Sequence, residues 1–364
     1  MLIAALIIVI LIAAVYGFVN RLPFGEMPAG ERLAAIKKSP HYKEGSFKNL
    51  SITPDLTDGA GYFTVLRDFI FNKSKTSKPA QPLPATKINL LALSPNENIL
   101  VWFGHSAYFM QVDGKTILVD PVFSGHASPL KFTTKSFAGT DVYRPSDFPA
   151  IDYLFITHDH WDHLDYKTLV ALKPKIKKIL TGLGTGAHLQ RWGFDKSLLV
   201  EKDWNEEIFL GDGFVVNTTP ARHFSGRGLK RNQTLWTSFV LATPTMKIFI
   251  GGDSGYDTHF KTIGEQYGPF DLAIVECGQY NRYWKHIHMM PEETVQAGID
   301  LNAKMLLPVH WGKFALSLHS WKEPIEKFTA AARSKNMPII TPLIGKKVNL
   351  NTPSVFTEWW KNIN

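Results

Sequence analysis

The feature that most restricts the fold of this chain is a series of short apolar runs that lead into a histidine or an aspartate. From about residue 98 these runs are rich in β-branched and aromatic residues and are separated by turn dipeptides. Asp113-Gly114, at the centre of one such stretch, is typical of a tight hairpin turn. Helix-like stretches follow several runs, so the sequence predicts a mixed α/β domain over residues 98–364. Polar residues gathered at one edge of its sheets predict a functional site there.

Residues 155–166 read FITHDHWDHLDY and contain the densest group of candidate metal ligands. The alternating residues His158, His160 and Asp162 can point to a common centre, whereas His163 faces a neighbouring one, so the loop predicts two cations. Imidazole and carboxylate ligands without thiolate suit zinc, and also iron or manganese, in a catalytic site. The alternative, a surface loop or a capping cluster, must account for three imidazoles within residues 158–163.

These residues resemble the signature loop of the metallo-β-lactamase family, His-x-His-x-Asp-His. The segments TPARHFSGRG, IFIGGDSGY and LLPVHWGKF follow in the family's order. The resemblance implies a four-layer αββα sandwich in which two metal ions share seven ligands. The first metal would be held by His158, His160 and His223, the second by Asp162, His163 and His310, and Asp253 would bridge them. Taken singly, His223 and His310 could be ordinary strand-end histidines and Asp253 a turn residue.

Within that family the chain is most similar to the N-acyl phosphatidylethanolamine-hydrolysing phospholipase D branch. The similar segments lie between residues 98 and 345 and include GTGAHLQRWGF, GPFDLAIVECGQY and HMMPEE. The resemblance implies a phosphodiesterase with two zinc ions per chain that releases an N-acylethanolamine and phosphatidate, and also implies a homodimer. Asp162 and Asp253 would position a water molecule and accept its proton, and His288 would act near the substrate phosphate.

Three residues are predicted to contact substrate, namely Trp161, His288 and Tyr280. The eukaryotic members of the branch carry Tyr in place of Trp161 and Gln in place of Ile287, so the resemblance leaves head-group selectivity open. Tyr280 is expected in an acyl groove, with plain core packing as the alternative. His105 is expected to orient a ligand rather than to bind metal. The other histidines without a spacing relation to this set are expected on the surface or in the core, namely His41, His126, His188, His259 and His319.

The N-terminus predicts a membrane segment. Residues 1–19 carry no charge, and as a helix rising about 1.5 Å per residue they would cross nearly the whole apolar thickness of a bilayer. The run is not preceded by a basic residue and lacks a good cleavage site, which favours an uncleaved single-pass anchor (1–20) over a signal peptide. Arg21 and Lys37 follow the span, which predicts a cytoplasmic catalytic domain. Residues 21–97 are expected to form an N-terminal extension and linker.

The composition restricts the partners. The chain has 40 Lys and Arg against 32 Asp and Glu, a net charge of +8 that suits a phospholipid surface, or merely a solvated basic surface. Cys277 is the single cysteine, so an intrachain disulfide is excluded. The sequence contains no recognisable RNA-binding motif, which argues against a nucleic-acid partner. Two alternatives stay open at this point: another hydrolase with the same fold, such as a lactonase, β-lactamase or nuclease, and a membrane-tethered regulator without activity.

Overall fold

The computed structural model describes residues 2–57, 59–352 and 358–363 of the chain. Its helices, in chain order, are α1 Leu2–Val19, α2 Gly30–Ile36, α3 Tyr62–Phe71, α4 Tyr166–Leu172, α5 Gly186–Arg191, α6 His259–Tyr267, α7 Pro291–Asp300 and α8 Glu323–Ser334. Its strands are β1 Tyr42–Lys43, β2 Ser46–Phe47, β3 Ile99–Trp102, β4 Tyr108–Val112, β5 Lys115–Val119, β6 Tyr153–Ile156, β7 Ile179–Gly182, β8 Leu199–Lys202, β9 Glu207–Gly211, β10 Phe214–Thr219, β11 Ser238–Ala242, β12 Lys247–Ile250, β13 Leu272–Glu276, β14 Leu306–Val309 and β15 Lys347–Asn349.

The first large sheet has seven strands in the order β15-β3-β4-β5-β6-β7-β8. Strands β4 and β5 form the predicted hairpin, and Asp113 and Gly114 at its turn have φ values of 47° and 77°. Both values lie in the left-handed region that a type I′ turn requires. From β5 to β8 the pairing is parallel, so these strands end at one edge of the sheet.

The second large sheet has six strands in the order β14-β13-β12-β11-β10-β9. One large apolar cluster joins inward-facing residues of both sheets, such as Phe155 and Phe239, to residues of the outer helices, such as Ile325 and Phe328 of α8. A second cluster packs α4 and α5 on the outer face of the first sheet. Burial on both faces explains why these strands are almost continuously apolar. The predicted αββα layering is confirmed.

The predicted ligands lie just beyond the C-terminal ends of strands from both sheets. His158 follows β6, His223 follows β10, Asp253 follows β12 and His310 follows β14. Because β12, β13 and β14 are parallel to one another, their carboxyl ends lie at the same edge. The two sheets therefore bring residues that are far apart in the sequence to one place.

The N-terminal region consists of an exposed helix followed by segments that pack on the sandwich. Helix α1 has 18 residues with a mean hydropathy of 3.0, and none of these residues is buried, so it is long and apolar enough either to span a membrane or to serve as a signal sequence. Beyond it, α2 is held by an Arg32–Glu201 ion pair of 2.8 Å, and Phe47 of β2 is fully buried. Parts of the region between α1 and the sandwich therefore pack against the sandwich.

Candidate metal centre at the strand ends

Three histidine rings converge at one end of the centre. His158 Nε2 lies 2.9 Å from His160 Nδ1, and His223 Nε2 lies 3.2 Å from the same nitrogen. Nitrogen ligands of one tetrahedral zinc ion are about 3.4 Å apart when each bond is about 2.1 Å. Three ring nitrogens at such separations can face a shared cation, as the sequence predicts for this trio.

Asp253 lies between this trio and a second group of ligands. Its Oδ2 is 3.8 Å from Nε2 of both His158 and His223, and 3.2 Å from His163 Nε2. Its Oδ1 is 3.0 Å from His310 Nδ1. One carboxylate thus reaches both groups, which is the position expected of a bridging ligand.

One further histidine lies beside the second group of predicted ligands. Asp162 and His163 approach to 3.5 Å, and His105 Nε2 lies 2.8 Å from Asp162 Oδ2. His105 has a φ of 54° and His310 a φ of 68°, left-handed values that are rare for these side chains and that concentrate at functional sites. His105 therefore contacts a predicted ligand directly, and its orienting role stays a prediction.

The buried groups of this centre fit cations. Among the residues that the structure describes, His163 Nε2 and Asp253 Oδ1 are buried atoms whose contacts of 3.2 and 3.0 Å lack the geometry of a hydrogen bond. Burial lowers the pKa of His160 to about 4 and that of His310 to about 3, so both rings are neutral at pH 7 and keep a lone pair for a metal. Burial alone would raise the pKa of Asp253, but His163 and His310 hold it well below its usual range. The carboxylates of Asp253, Asp162 and Asp120 outweigh burial and raise the pKa of His163 well above its usual value, so a cation bound there would take the place of its proton. Imidazole and carboxylate groups of this kind form a donor set for zinc, iron or manganese.

Asp120, which sequence reasoning missed, holds His163 from behind. Its Oδ2 is 2.7 Å from His163 Nδ1 and accepts a 2.6 Å hydrogen bond from Thr157 Oγ1, while its Oδ1 accepts from the Thr157 amide at 2.9 Å. A carboxylate on Nδ1 places the proton there and leaves Nε2 free for a metal. The available sequence signal was an aspartate directly after the apolar strand β5.

A second buried network fixes the metal-binding loop to the segment that follows α1. Arg227 Nη1 donates to the carbonyls of Asp159 and Leu164 at 2.7 Å each, and Nη2 donates to the carbonyl of Pro23 at 2.8 Å. The same guanidinium lies 4.1 Å from the ring centroid of Trp161, and the ring centroids of Phe24 and Trp161 are 5.0 Å apart. Trp161 therefore packs between Arg227 and the N-terminal segment, where it lines a smaller cavity together with Phe24. It is not among the residues that line the cavity beside the metal ligands, and its substrate contact stays a prediction.

The cavity beside the centre has a volume of about 450 Å³ and is lined by His160, His223, Asp253 and His288, among others. The His288 ring is 5.0 Å from that of His223, and its Nδ1 is 3.5 Å from Oε2 of the fully buried Glu276. Sequence reasoning missed Glu276, the last residue of a buried strand. Burial raises its pKa to about 7.

Tyr280 is not among the residues that line this cavity, and its substrate contact stays a prediction. It is buried, its hydroxyl donates to Glu323 Oε1 at 2.7 Å, and its ring stacks on His319. These contacts agree with core packing, the alternative hypothesis for this residue. The neighbouring Gln279 does line the cavity wall.

Comparison with known proteins agrees with this geometry. The family described as Beta-lactamase superfamily domain matches residues 115–311. An uncharacterised protein of Mycobacterium tuberculosis is 38% identical over 339 residues, covering 90% of this chain and 89% of that protein. The N-acyl-phosphatidylethanolamine-hydrolyzing phospholipase D 1 of Caenorhabditis elegans is 34% identical over 244 residues, covering 62% of this chain and 67% of that protein.

Among solved structures, Igni18, a metallo hydrolase from the archaeon Ignicoccus hospitalis, is similar in fold. The two superpose with a TM-score of 0.53 at 21% identity, over 70% of this chain and 98% of that one. The sequence match, the sandwich and the ligand cluster lead to one conclusion. The chain belongs to the β-lactamase superfamily, as a hydrolase with the metallo-β-lactamase fold.

Proposed function

We propose that the protein is a membrane-anchored phosphodiesterase of the phospholipase D type that cleaves N-acyl phosphatidylethanolamine into an N-acylethanolamine and phosphatidate. The observation that carries the proposal is one cavity that is lined both by a basic side chain, Arg231, and by five of the seven predicted metal ligands, namely His160, Asp162, His223, Asp253 and His310. The similarity to the C. elegans phospholipase supports the substrate class. Helix α1 would span the membrane, and the basic residues after it favour a cytoplasmic catalytic domain.

Two cations, with zinc as the first choice and iron or manganese as alternatives, would be held as the sequence predicts. His158, His160 and His223 would take one, and Asp162, His163 and His310 the other, with Asp253 between them. Bound metal ions would lower the pKa of water and neutralise charge on the phosphate oxygens. The short His–His separations and the buried groups without hydrogen bonds support this assignment.

The protein's own groups would hold the anionic diester in the cavity. Arg231 donates from Nη1 to Asp55 at 2.8 Å, and its buried Nε makes no hydrogen bond within the described residues. A guanidinium with an unused N–H suits a phosphate oxygen. Glu276 would orient His288, because the two side chains meet at 3.5 Å behind the cavity wall.

The chemical step would exchange one bond at phosphorus for another. A water oxygen forms the new bond to phosphorus, and Asp162 accepts the proton that it loses. The bond between phosphorus and the oxygen of the N-acylethanolamine breaks, and that oxygen takes a proton from His288. Phosphatidate and a neutral N-acylethanolamine leave, and proton exchange with solvent restores both side chains.

The test is hydrolysis of N-acyl phosphatidylethanolamine in vesicles by the metal-loaded full-length protein in ¹⁸O-labelled water, followed by mass spectrometry. We expect ¹⁸O in phosphatidate and none in the N-acylethanolamine, because the attack is on phosphorus. Asp162→Asn should reduce turnover by at least about a hundredfold. The control Asp212→Asn removes a carboxylate that is 73% exposed and should retain turnover.

Other substrates decide between this proposal and its alternatives. The same preparation is assayed with lactones, β-lactams and RNA, since related hydrolases could use the same metal ligands. Turnover confined to one of these substrates would reject the phospholipase proposal and retain the hydrolase. Full activity of Asp162→Asn on the phospholipid would reject the assigned role of this carboxylate.

A further inference from the structure

Helix α3 exposes an apolar face at the rim of the cavity. Phe63, Leu66 and Ile70 are 81%, 59% and 62% exposed. Their spacing of three and four residues places them on one side of the helix. A contiguous group of large exposed apolar side chains on a folded protein marks an interaction surface.

The opposite side of α3 is fixed to the cavity wall, so the exposed face is not a result of loose packing. Asp68 is buried and accepts a 2.9 Å hydrogen bond from the Tyr283 hydroxyl. Phe69 stacks on Trp284, with ring centroids 6.0 Å apart and planes at 12°. Trp284 and Tyr62, the first residue of α3, both line the cavity. The helix is therefore held at the entrance with its apolar side outward.

Charge and tethering indicate what covers this face. The chain continues from α3 with Lys75 and Lys78, both exposed, which suits the anionic groups of a lipid surface. The hydrophobic α1 ends at Val19, and Phe24, five residues later, packs on Trp161 beside the cavity residue His160. A lipid-spanning helix would thus hold the side of the domain that carries Trp161 and the metal-binding loop close to the bilayer surface.

We infer that the Phe63, Leu66 and Ile70 face of α3 inserts into the lipid surface and places the cavity entrance against the bilayer. This inference rests on the proposed phospholipase function, which requires a substrate drawn from the membrane. An interfacial helix with an apolar face and adjacent basic residues binds in the plane of the headgroups. The lipid's acyl chains would then remain near the bilayer while its phosphodiester enters the cavity.

The test places a fluorescent probe on α3. Cys277 is fully buried, so Leu66→Cys in the full-length protein offers one accessible thiol for a nitrobenzoxadiazole label. The labelled protein is inserted, one copy per disc, into phosphatidylcholine–phosphatidylglycerol nanodiscs with nitroxide-bearing acyl chains. We expect a blue-shifted emission and about fivefold stronger quenching than at Lys335→Cys, the matched exposed control after α8. Equal quenching at both positions, or a blue shift without lipid quenching, would overturn the inference.

A second variant separates docking from chemistry. Replacing Phe63, Leu66 and Ile70 by serine should reduce turnover of vesicle substrate by about tenfold and leave turnover of a short-chain, monomeric analogue within about twofold. An equal loss on both substrates would overturn the docking role. If position 66 is quenched by lipid but N-acyl phosphatidylethanolamine is not cleaved, the proposed function fails and the docking stands. If N-acyl phosphatidylethanolamine is cleaved but the probe at position 66 is not quenched by lipid, the proposed function stands and the docking inference fails.

Discussion

Replacing Asp120 by asparagine should weaken metal binding although Asp120 is not itself a predicted ligand. The carboxylate is 1% exposed and accepts three contacts, one from His163 Nδ1 and two from Thr157. Asparagine has nearly the same shape and can keep its oxygen on the Thr157 amide. Its NH₂ group then faces His163 Nδ1, where the native residue presents an acceptor.

This exchange acts on the tautomer of His163. A ring that ligates metal through Nε2 needs its proton on Nδ1, and an NH₂ donor at Nδ1 favours the opposite tautomer. Loss of such a supporting carboxylate weakens metal binding by about 10- to 100-fold, or about 1.4–2.8 kcal/mol. We expect a change of that size for the metal at Asp162, His163 and His310, and less for the metal at the histidine trio.

The assay is competition between the protein and a chromophoric zinc chelator, with metal content measured in parallel. Asp152→Asn is the matched control, because Asp152 also accepts from the amide and hydroxyl of a threonine, Thr116, at 2.9 Å each. It precedes β6, whereas the ligand loop follows β6, so it lies at the opposite end of the strand from the centre. If Asp120→Asn and Asp152→Asn both bind two zinc ions with the wild-type affinity, the orienting role of Asp120 is refuted.

Three further predictions concern stability, and a fourth concerns the number of zinc ions bound. Arg227→Ala should lower the free energy of unfolding by about 2–4 kcal/mol in urea titrations, because buried carbonyls lose their donors. Arg227→Lys should restore less than half of this lost free energy. Full recovery in Arg227→Lys would contradict the need for the forked guanidinium donor. Burial lowers the pKa of His259 to about 4, below its usual 6.5, so the unfolded chain binds the extra proton and stability should fall as pH drops from 6.5 to 4. His259→Gln should reduce the loss of unfolding free energy between pH 6.5 and pH 4 by about 1–3 kcal/mol, and an unchanged loss would reject the assignment. Chelation should lower the melting temperature, because zinc at about a hundred times its Kd adds about 2.7 kcal/mol. His158→Ala should bind one zinc equivalent fewer, and two equivalents at wild-type affinity would remove His158 from the ligands.

The sequence by itself determined the local features of this protein. Asp113-Gly114 predicted a hairpin because few residues tolerate left-handed backbone at a two-residue turn. His158, His160, Asp162 and His163 predicted a metal site because their spacing within one loop allows convergence without knowledge of the rest of the chain. The apolar character of residues 1–19 predicted a helix that could lie in a membrane, which α1 is long enough to do.

The tertiary structure decided the contacts between distant segments. Glu276 reaches His288 and Arg227 reaches Pro23 only because the sheets and the N-terminal segment pack together, and spacing along the chain does not encode such proximity. The same packing turned Tyr280 into the core and left the apolar face of α3 outside. Local sequence patterns reflect the conformational preferences of the backbone. Which side chains are buried against each other depends on how the whole chain packs to remove apolar surface from water.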